Sequence, residues 1–398
     1  MLADRVASLK PSPTLALAAK AKELKKQGHD VYSLTVGEPD WDTFEQIKAA
    51  GIEAIKSGQT KYAPANGLPE LRQAICEQTI LDLGHHYDAD QVTVSTGAKF
   101  VLYAALQALV NPGDEVIVPG PYWVSYPTMV ELAAGKPVLV NCGPETGFKL
   151  TAELLERHIT PKTKLIILNS PSNPTGSVYT MEEWKQIGEV LKKHKQVVVL
   201  SDDIYNRLIF DGSDVAPHIL QTTPELVDRT VVVNGVSKTY SMTGWRLGWA
   251  VGPKEVIKAM TNLQSQSVSC ASPFTQIAAL AALKMGKDAL APYLKKLQVR
   301  RDFVYDSLSK MKGVKVLKPQ GAFYIFPDFR GVCGRGFKGH GLDDCSQIAK
   351  VLLEEELVAT VPGCEFGAPG FLRLSFALDQ DVLGKALMRI ESFIDRLD

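Results

Sequence analysis

The chain lacks a charge excess. Lys+Arg and Asp+Glu both number 44 in 398 residues, so the formal net charge is zero. Proteins that grip nucleic acid or a membrane surface carry a basic excess, so neither partner is expected. The chain is also poor in cysteine. Cys76, Cys142, Cys270, Cys333, Cys345 and Cys364 are scattered, with no CxxC pair. That pattern fits reduced thiols in the cytoplasm better than a disulfide framework. No apolar run approaches the roughly 20 residues of a membrane span. Residues 1–26 carry charges throughout, so no secretory signal is expected, and residues 395–398 match no prenylation or peroxisomal signal. Internal repeats and low-complexity tracts are missing as well.

What is present is an ordinary globular mixture, 45% hydrophobic and 22% charged, enough to bury a sizeable core. The length suggests about two domains in close contact. Seven short apolar runs punctuate the middle of the chain: 91–95, 115–119, 137–141, 164–169, 197–201, 230–234 and 248–252. Several are nearly continuous Val/Ile/Leu, as strands buried on both faces require. Helical patterns such as 98–109 and 181–193 lie between them. This alternation predicts an α/β fold with an open, mostly parallel sheet. The two ends read differently. Residues 14–28 form an amphipathic helix closed by Gly28. Beyond a helical stretch at 288–312, short strands (314–317, 322–327, 371–376) mix with helices (344–355, 380–397). A smaller α+β domain built from both termini is expected. The boundaries are an N-terminal arm at 1–45, a large domain at 46–290 and a small domain at 291–398.

Ligands of open α/β sheets bind outside the carboxyl ends of the strands. At those positions stand Thr96-Gly97-Ala98-Lys99, a turn whose small residues let backbone N–H groups approach an anion. There too are Trp123, the run Ser170–Gly176 containing Asn173, Asp202 and Tyr205, and Ser237-Lys238. One rim thus collects an aromatic ring, an amide, an acid, a phenol, a lysine and a phosphate-compatible turn. The set suits a planar, phosphorylated, heteroaromatic aldehyde. Lysine condenses with the aldehyde, the acid keeps the ring nitrogen protonated, and the aromatic face stacks. Each residue alone has a plainer reading: a solvated lysine, a helix-capping aspartate, a core tryptophan, a turn at Asn173-Pro174. Arg373 sits in an apolar strand, where a buried guanidinium needs a carboxylate, from a ligand or from a structural salt bridge.

Residues 235–248, GVSKTYSMTGWRLG, resemble the lysine-attachment signature of the class I/II, fold-type I aminotransferases. Asn173–Gly176 and Asp202–Tyr205 are similar to that family's other cofactor segments, in the expected order. The likeness is strongest to its bacterial aspartate aminotransferase branch, through 36–40, 60–64, 121–126 and 371–375. It implies that pyridoxal 5′-phosphate is bound by Lys238, with Asp202 on the ring nitrogen. Tyr205 and Asn173 would take the ring oxygen and Trp123 the ring face. Gly97, Ala98, Lys99, Ser237 and Arg246 would surround the phosphate. Arg373 would fork onto the substrate α-carboxylate, helped by the Gly37 backbone, with Trp123 and Asn173 also facing substrate. Lys99 and Thr14 would favour aspartate or glutamate through the distal carboxylate. Tyr62 would reach the phosphate of a neighbouring subunit, making a homodimer with shared sites.

The implied reaction is ping-pong exchange of the amino group between an L-amino acid and a 2-oxo acid, with no metal. Relatives preferring aromatic amino acids, prephenate or alanine stand as alternatives, as does a lyase on the same fold. Asp203 replaces the usual glutamate, while Trp41 and Phe44 stand where the branch has Phe and Pro. Residues 331–344 look like an extra glycine-rich, mobile surface loop. Gly334–Gly339 spells GxGxxG, but no βαβ unit surrounds it. Cys333, His340 and Cys345 lack the spacing of a zinc site. A DNA-binding regulator would need more than the short, neutral segment before Val31, and a nicotinamide oxidoreductase is the remaining competitor.

Overall fold

The computed structural model describes residues 2–7, 9 and 13–398, the side chains of residues 13–16 and of Lys287 excepted. The seven apolar runs each become a strand, within a residue of the expected ends, and join in one sheet. Across it the order is Val92–Ser95, Gly248–Val251, Thr230–Gly235, Val198–Asp202, Thr163–Asn169, Glu115–Gly120, Lys136–Asn141. Gly248–Val251 runs antiparallel to both its neighbours, and the other pairs are parallel.

Side chains alternate across a strand, and both faces of this sheet are buried. Leu165 and Ile167 pack with Val116, Val118, Leu200 and Val233 beneath Val101, Leu102 and Ala105 of the helix Ala98–Leu109. Ile166 and Leu168 point the other way, onto Trp184, Ile187 and Leu191 of the helix Met181–Lys193. Continuous apolar strands are the consequence. The second helix starts where a capping box allows it. Thr180 Oγ1 accepts from the Glu183 N–H at 3.2 Å, and the Glu183 carboxylate accepts from the Thr180 N–H at 2.7 Å.

Both ends of the chain meet beside this sheet. Tyr32–Ser33 pairs in parallel with Val358–Ala359. A three-stranded antiparallel sheet orders Val361–Pro362, Leu372–Ser375 and Tyr324–Ile325. Tyr32, Leu34, Phe323, Ile325, Leu374 and Phe393 share one core, and Tyr205 and Leu208, which follow a strand of the large sheet, belong to it too. The two halves are therefore packed together along the carboxyl rim.

Three expectations are corrected. Residues 314–317 form no strand; only Lys315 bridges to Asp328, between Gly313 at φ +80° and Pro319. The strand expected at 322–327 shrinks to Tyr324–Ile325, since Ala322 at φ +56° lies outside the β region. Within 331–344 lies a hairpin, Gly336–Phe337 paired with His340–Gly341. Lys338 and Gly339 both have positive φ, as a tight two-residue turn demands. Phe337 is buried and the Asp398 N–H bonds the Gly336 carbonyl at 3.0 Å, which anchors the segment. The GxGxxG glycines serve this hairpin and not a strand-to-helix turn.

Candidate active site

The strand ends deliver their side chains to a cavity of about 530 Å³, within the roughly 300–1,000 Å³ of small-molecule sites. Gly37, Ala98, Lys99, Trp123, Asn173, Asp202, Tyr205, Ser237, Lys238, Arg246 and Arg373 all line it. Gly97 stands just behind as the residue before the helix Ala98–Leu109. Tyr62 is not brought to this cavity; its side chain is 91% exposed. Thr14 falls in the helix Pro13–Lys26, but its side chain lies outside the described residues.

Lys238 follows the strand Thr230–Gly235 by three residues. Its Nζ donates to the Gly37 carbonyl at 2.6 Å. Dense packing around the amine lowers its pKa to about 8, against the raising effect of Glu38 and with help from the Arg373 and Arg246 charges. Asp202 ends the strand Val198–Asp202 and is 3% exposed. Burial raises its pKa to about 6, although Tyr126 Oη donates to its Oδ2 at 2.7 Å.

Asp203 points away into a second buried group. Ser201 Oγ donates to its Oδ1 at 2.6 Å, and His218 Nε2 lies 3.5 Å from its Oδ2. Burial pushes Asp203 up to about 7 and His218 down to about 4. Asp203 thus stays off the cavity.

Arg373 enters from the strand Leu372–Ser375 and is 3% exposed. Its Nη1 donates to Asn173 Oδ1 at 3.1 Å and its Nη2 to the Thr35 carbonyl at 2.8 Å, while Nε is buried without a partner. The guanidinium lies 4.5 Å from the Tyr324 ring centroid and 5.1 Å from that of Phe366. Among the described residues no carboxylate pairs with it, so the structural salt bridge is absent there. Burial lowers its pKa.

The turn before Ala98 is shaped for close approach. Gly97 has φ +95°, and a Cβ there would lie 2.7 Å from Arg246 Nη2. A Cβ on Gly248 would lie 2.4 Å from the Ala98 nitrogen. No side chain caps the helix that starts here, leaving its first N–H groups free of an intrahelical partner beside a guanidinium. Lys99 Nζ lies 4.7 Å from the Trp123 ring centroid. Packing around its amine, then Arg246, lowers its pKa. Lys99 is exposed yet borders the cavity.

Tyr126, Tyr324, Thr35 and Glu38 also line the cavity and were not assigned roles from sequence. Tyr324 Oη is 3.0 Å from Tyr205 Oη, and Thr243 Oγ1 donates to Glu38 Oε2 at 2.7 Å. Tyr126 and Glu38 fall in segments that carried the family likeness. Tyr324 sits in a short apolar run with no chemical signal of its own.

Known proteins resemble this chain over its length. A family model described as Aminotransferase class I and II matches residues 29–390. An aspartate/prephenate aminotransferase from Cereibacter sphaeroides is 50% identical over 393 residues, 98% of each chain. The crystal structure of the aspartate aminotransferase from Rhizobium meliloti superimposes with a TM-score of 0.96 at 43% identity, over 100% of both chains. That of the Thermus thermophilus aspartate aminotransferase with maleate gives 0.91 at 40% identity, over 99% of both.

Proposed function

The chain belongs to the class I and II aminotransferases, and from that premise we propose that its cavity holds pyridoxal 5′-phosphate and acts on aspartate or glutamate. Exchange of the amino group between an L-amino acid and a 2-oxo acid, in ping-pong order, is the enzyme's reaction.

The residues present fit the cofactor. A free helix start beside Arg246, with Gly97 too close for any side chain, suits a phosphate. A buried carboxylate, Asp202, suits a pyridinium nitrogen. Tyr205 and Asn173 would take the ring oxygen, Trp123 the ring face, and Ala98 and Ser237 the phosphate. When bound, pyridoxal phosphate supplies an aldehyde that condenses with amines and a protonated ring that draws electrons from the substrate Cα.

The observation that carries the reading is Lys238, a half-buried amine with a pKa near 8 in the same cavity as Asp202 and Arg373. A neutral amine can take a proton; an ordinary lysine near neutral pH cannot. Lys238 Nζ removes the proton from the substrate Cα. Arg373 orients that carbon by gripping the α-carboxylate with its fork, supported by Asn173 and the Gly37 backbone. Asp202 stays ionised opposite a cationic ring, because that charge offsets the burial that raises its pKa.

Several points support a dicarboxylic substrate. Lys99 faces the cavity over Trp123, where it would meet a distal carboxylate together with Thr14. Maleate, itself a dicarboxylate, accompanies the Thermus structure. Prephenate enters the proposal as a second oxo acid because the Cereibacter relative is named for it. The proposal also includes a homodimer in which Tyr62 completes the neighbouring site, the division at residues 45 and 290, and a cytoplasmic location. No helix of the described residues is long and apolar enough to cross a membrane, and the six cysteines are free thiols.

The test is a half-reaction. The protein, loaded with pyridoxal phosphate, is mixed with one amino acid and no oxo acid while its absorption spectrum is recorded. L-Aspartate and L-glutamate are expected to bleach the visible band of the lysine-linked cofactor, and 2-oxoglutarate or prephenate to restore it. Bleaching only by aromatic or neutral amino acids would refute the dicarboxylic reading. A spectrum without the visible band, or an unchanged one for Lys238→Ala, would refute the role of Lys238.

A further inference from the structure

Residues 36–43 lie between the short strand Tyr32–Ser33 and the helix Glu45–Lys56. Among the described residues, no backbone group of this stretch bonds another backbone group. The segment therefore takes its position from side chains. On one side it is tied to the loop that follows Lys238. Thr243 Oγ1 donates to Glu38 Oε2 at 2.7 Å, and Ser241 Oγ donates to the Trp41 carbonyl. Thr43 Oγ1 donates to the Ser241 carbonyl at 2.6 Å and accepts from Trp245 Nε1 at 3.0 Å. Lys238 itself donates to the Gly37 carbonyl.

The other side rests on the helix Ala291–Leu308, whose Leu297 and Val304 lie in the core shared by both chain ends. Arg300 Nη1 and Nη2 donate to Asp40 Oδ1 and Oδ2, both at 2.7 Å. Arg300 is 2% exposed, and a guanidinium that deep needs an anion. Partial burial opposes ionisation of Asp40, but the Arg300 fork and then the Lys296 charge hold its carboxyl below the ordinary value. The pair is thus ionised at neutral pH. From the same helix, the Tyr293 ring meets those of Trp41 and Phe44 at 5.1 and 5.0 Å between centroids. Pro39 stands between Glu38 and Asp40. Its fixed φ, and the restriction it puts on the residue before it, carry a displacement of Asp40 back to Gly37.

We infer that Asp40 and Arg300 are positioning residues for amino-group transfer. Their ion pair draws the segment taut, which keeps the Gly37 carbonyl on Lys238 and the Gly37 backbone beside the substrate. The substrate half rests on the reading of Gly37 as a neighbour of the α-carboxylate. The half that concerns Lys238 rests on its bond to the Gly37 carbonyl.

The experiment compares the parent enzyme with Asp40→Asn and Asp40→Asn/Arg300→Met. The single variant leaves a buried guanidinium without its anion, which destabilises in its own right; the double variant removes both charges and keeps the volume. Two quantities are read. In the first, cofactor-free protein is mixed with pyridoxal phosphate, and the rate at which the visible band of the lysine-linked cofactor grows is followed against pH. Only the neutral amine attacks the aldehyde, so this rate rises through the titration of Lys238. A carbonyl acceptor favours the charged amine, and loosening it should lower the midpoint by about half a pH unit to one unit. After burial, the charges acting on Lys238 are those of Glu38, Arg373, Arg246 and Asp202 and not of this pair, so losing the pair's charges does not itself produce the shift. In the second, the KM for aspartate should rise by about three- to tenfold, short of the ~100-fold cost of an ångström's misplacement, with kcat little altered, as for a contact made equally before and during reaction. Thr180→Ala, which removes a helix cap on the opposite face of the sheet, should leave both quantities at the parent values. An unmoved or raised midpoint in the double variant overturns the hold of the pair on Gly37. A lowered midpoint with an unaltered KM overturns the substrate half, and with it the assignment of Gly37 to the α-carboxylate. Equal shifts in Thr180→Ala overturn the positioning role, because general loosening would then explain them.

Discussion

Replacing Lys238 by methionine should make the cofactor-free protein more stable near neutral pH, although it destroys the enzyme. The side chain keeps its length and loses only its charge and the bond to the Gly37 carbonyl. In the folded protein the lysine pKa is lowered to about 8, against an ordinary value of 10.5. The folded state therefore binds fewer protons than the unfolded chain between these two pH values. Stability is penalised fully below pH 8, and the penalty disappears as pH rises through that window. The full effect corresponds to roughly 3 kcal/mol, of which about 2 kcal/mol should vanish between pH 7 and pH 9.5. Because the lysine borders an open cavity, water reaching the amine makes these figures upper bounds. The assay is denaturant unfolding of both proteins without cofactor, at several pH values. The advantage of Lys238→Met should shrink steadily from pH 7 to pH 9.5. An advantage that stays constant with pH, or grows, would refute a depressed lysine pKa and with it the argument that packing prepares the base.

Asp202→Asn should show the mirror image. Burial raises the carboxyl to about 6 from 3.8, so its ionisation penalises the cofactor-free fold above pH 6, and the variant's advantage should fade as pH drops from 6 toward 4 in the same unfolding assay. Arg373→Lys exchanges a fork for a point charge; losing one charged hydrogen bond of ~1.5–3 kcal/mol predicts a fall of about 10- to 150-fold in kcat/KM for aspartate. Unaltered steady-state kinetics would remove Arg373 from the substrate. Gly97→Ala places a methyl 2.7 Å from Arg246 Nη2 at a φ of +95°; it should cost at least ~1 kcal/mol of stability and weaken pyridoxal phosphate, measured by equilibrium dialysis. Undiminished cofactor affinity would separate that turn from the phosphate.

The strands of the large sheet were legible because burial on both faces writes itself as runs such as Leu165–Leu168. Residues at their carboxyl ends were legible for the same reason, since locating a strand end locates the rim. Short strands of the smaller sheet were not. Tyr324–Ile325 is only two residues long, and whether the apolar run around it extends depends on φ at Ala322. The glycine-rich segment 331–344 read as a mobile loop because glycines mark turns without saying what they turn between. Phe337 and its hairpin gain order only from the core they enter.

For the site itself, the sequence by itself determined which chemical groups exist and which share a rim: Lys238, Asp202, Trp123, Asn173 and the turn at Gly97. Local order along one strand and its following turn suffices for that. Only the tertiary structure decided their state. Lys238 becomes a potential base because distant segments, with Gly37 and Arg373 among them, close around its amine. Arg373 is left without an acidic partner among the described residues, bonded instead to Asn173 and Thr35 from two other parts of the chain. Charge and burial are properties of the assembled neighbourhood, and a neighbourhood is made by residues far apart in the chain.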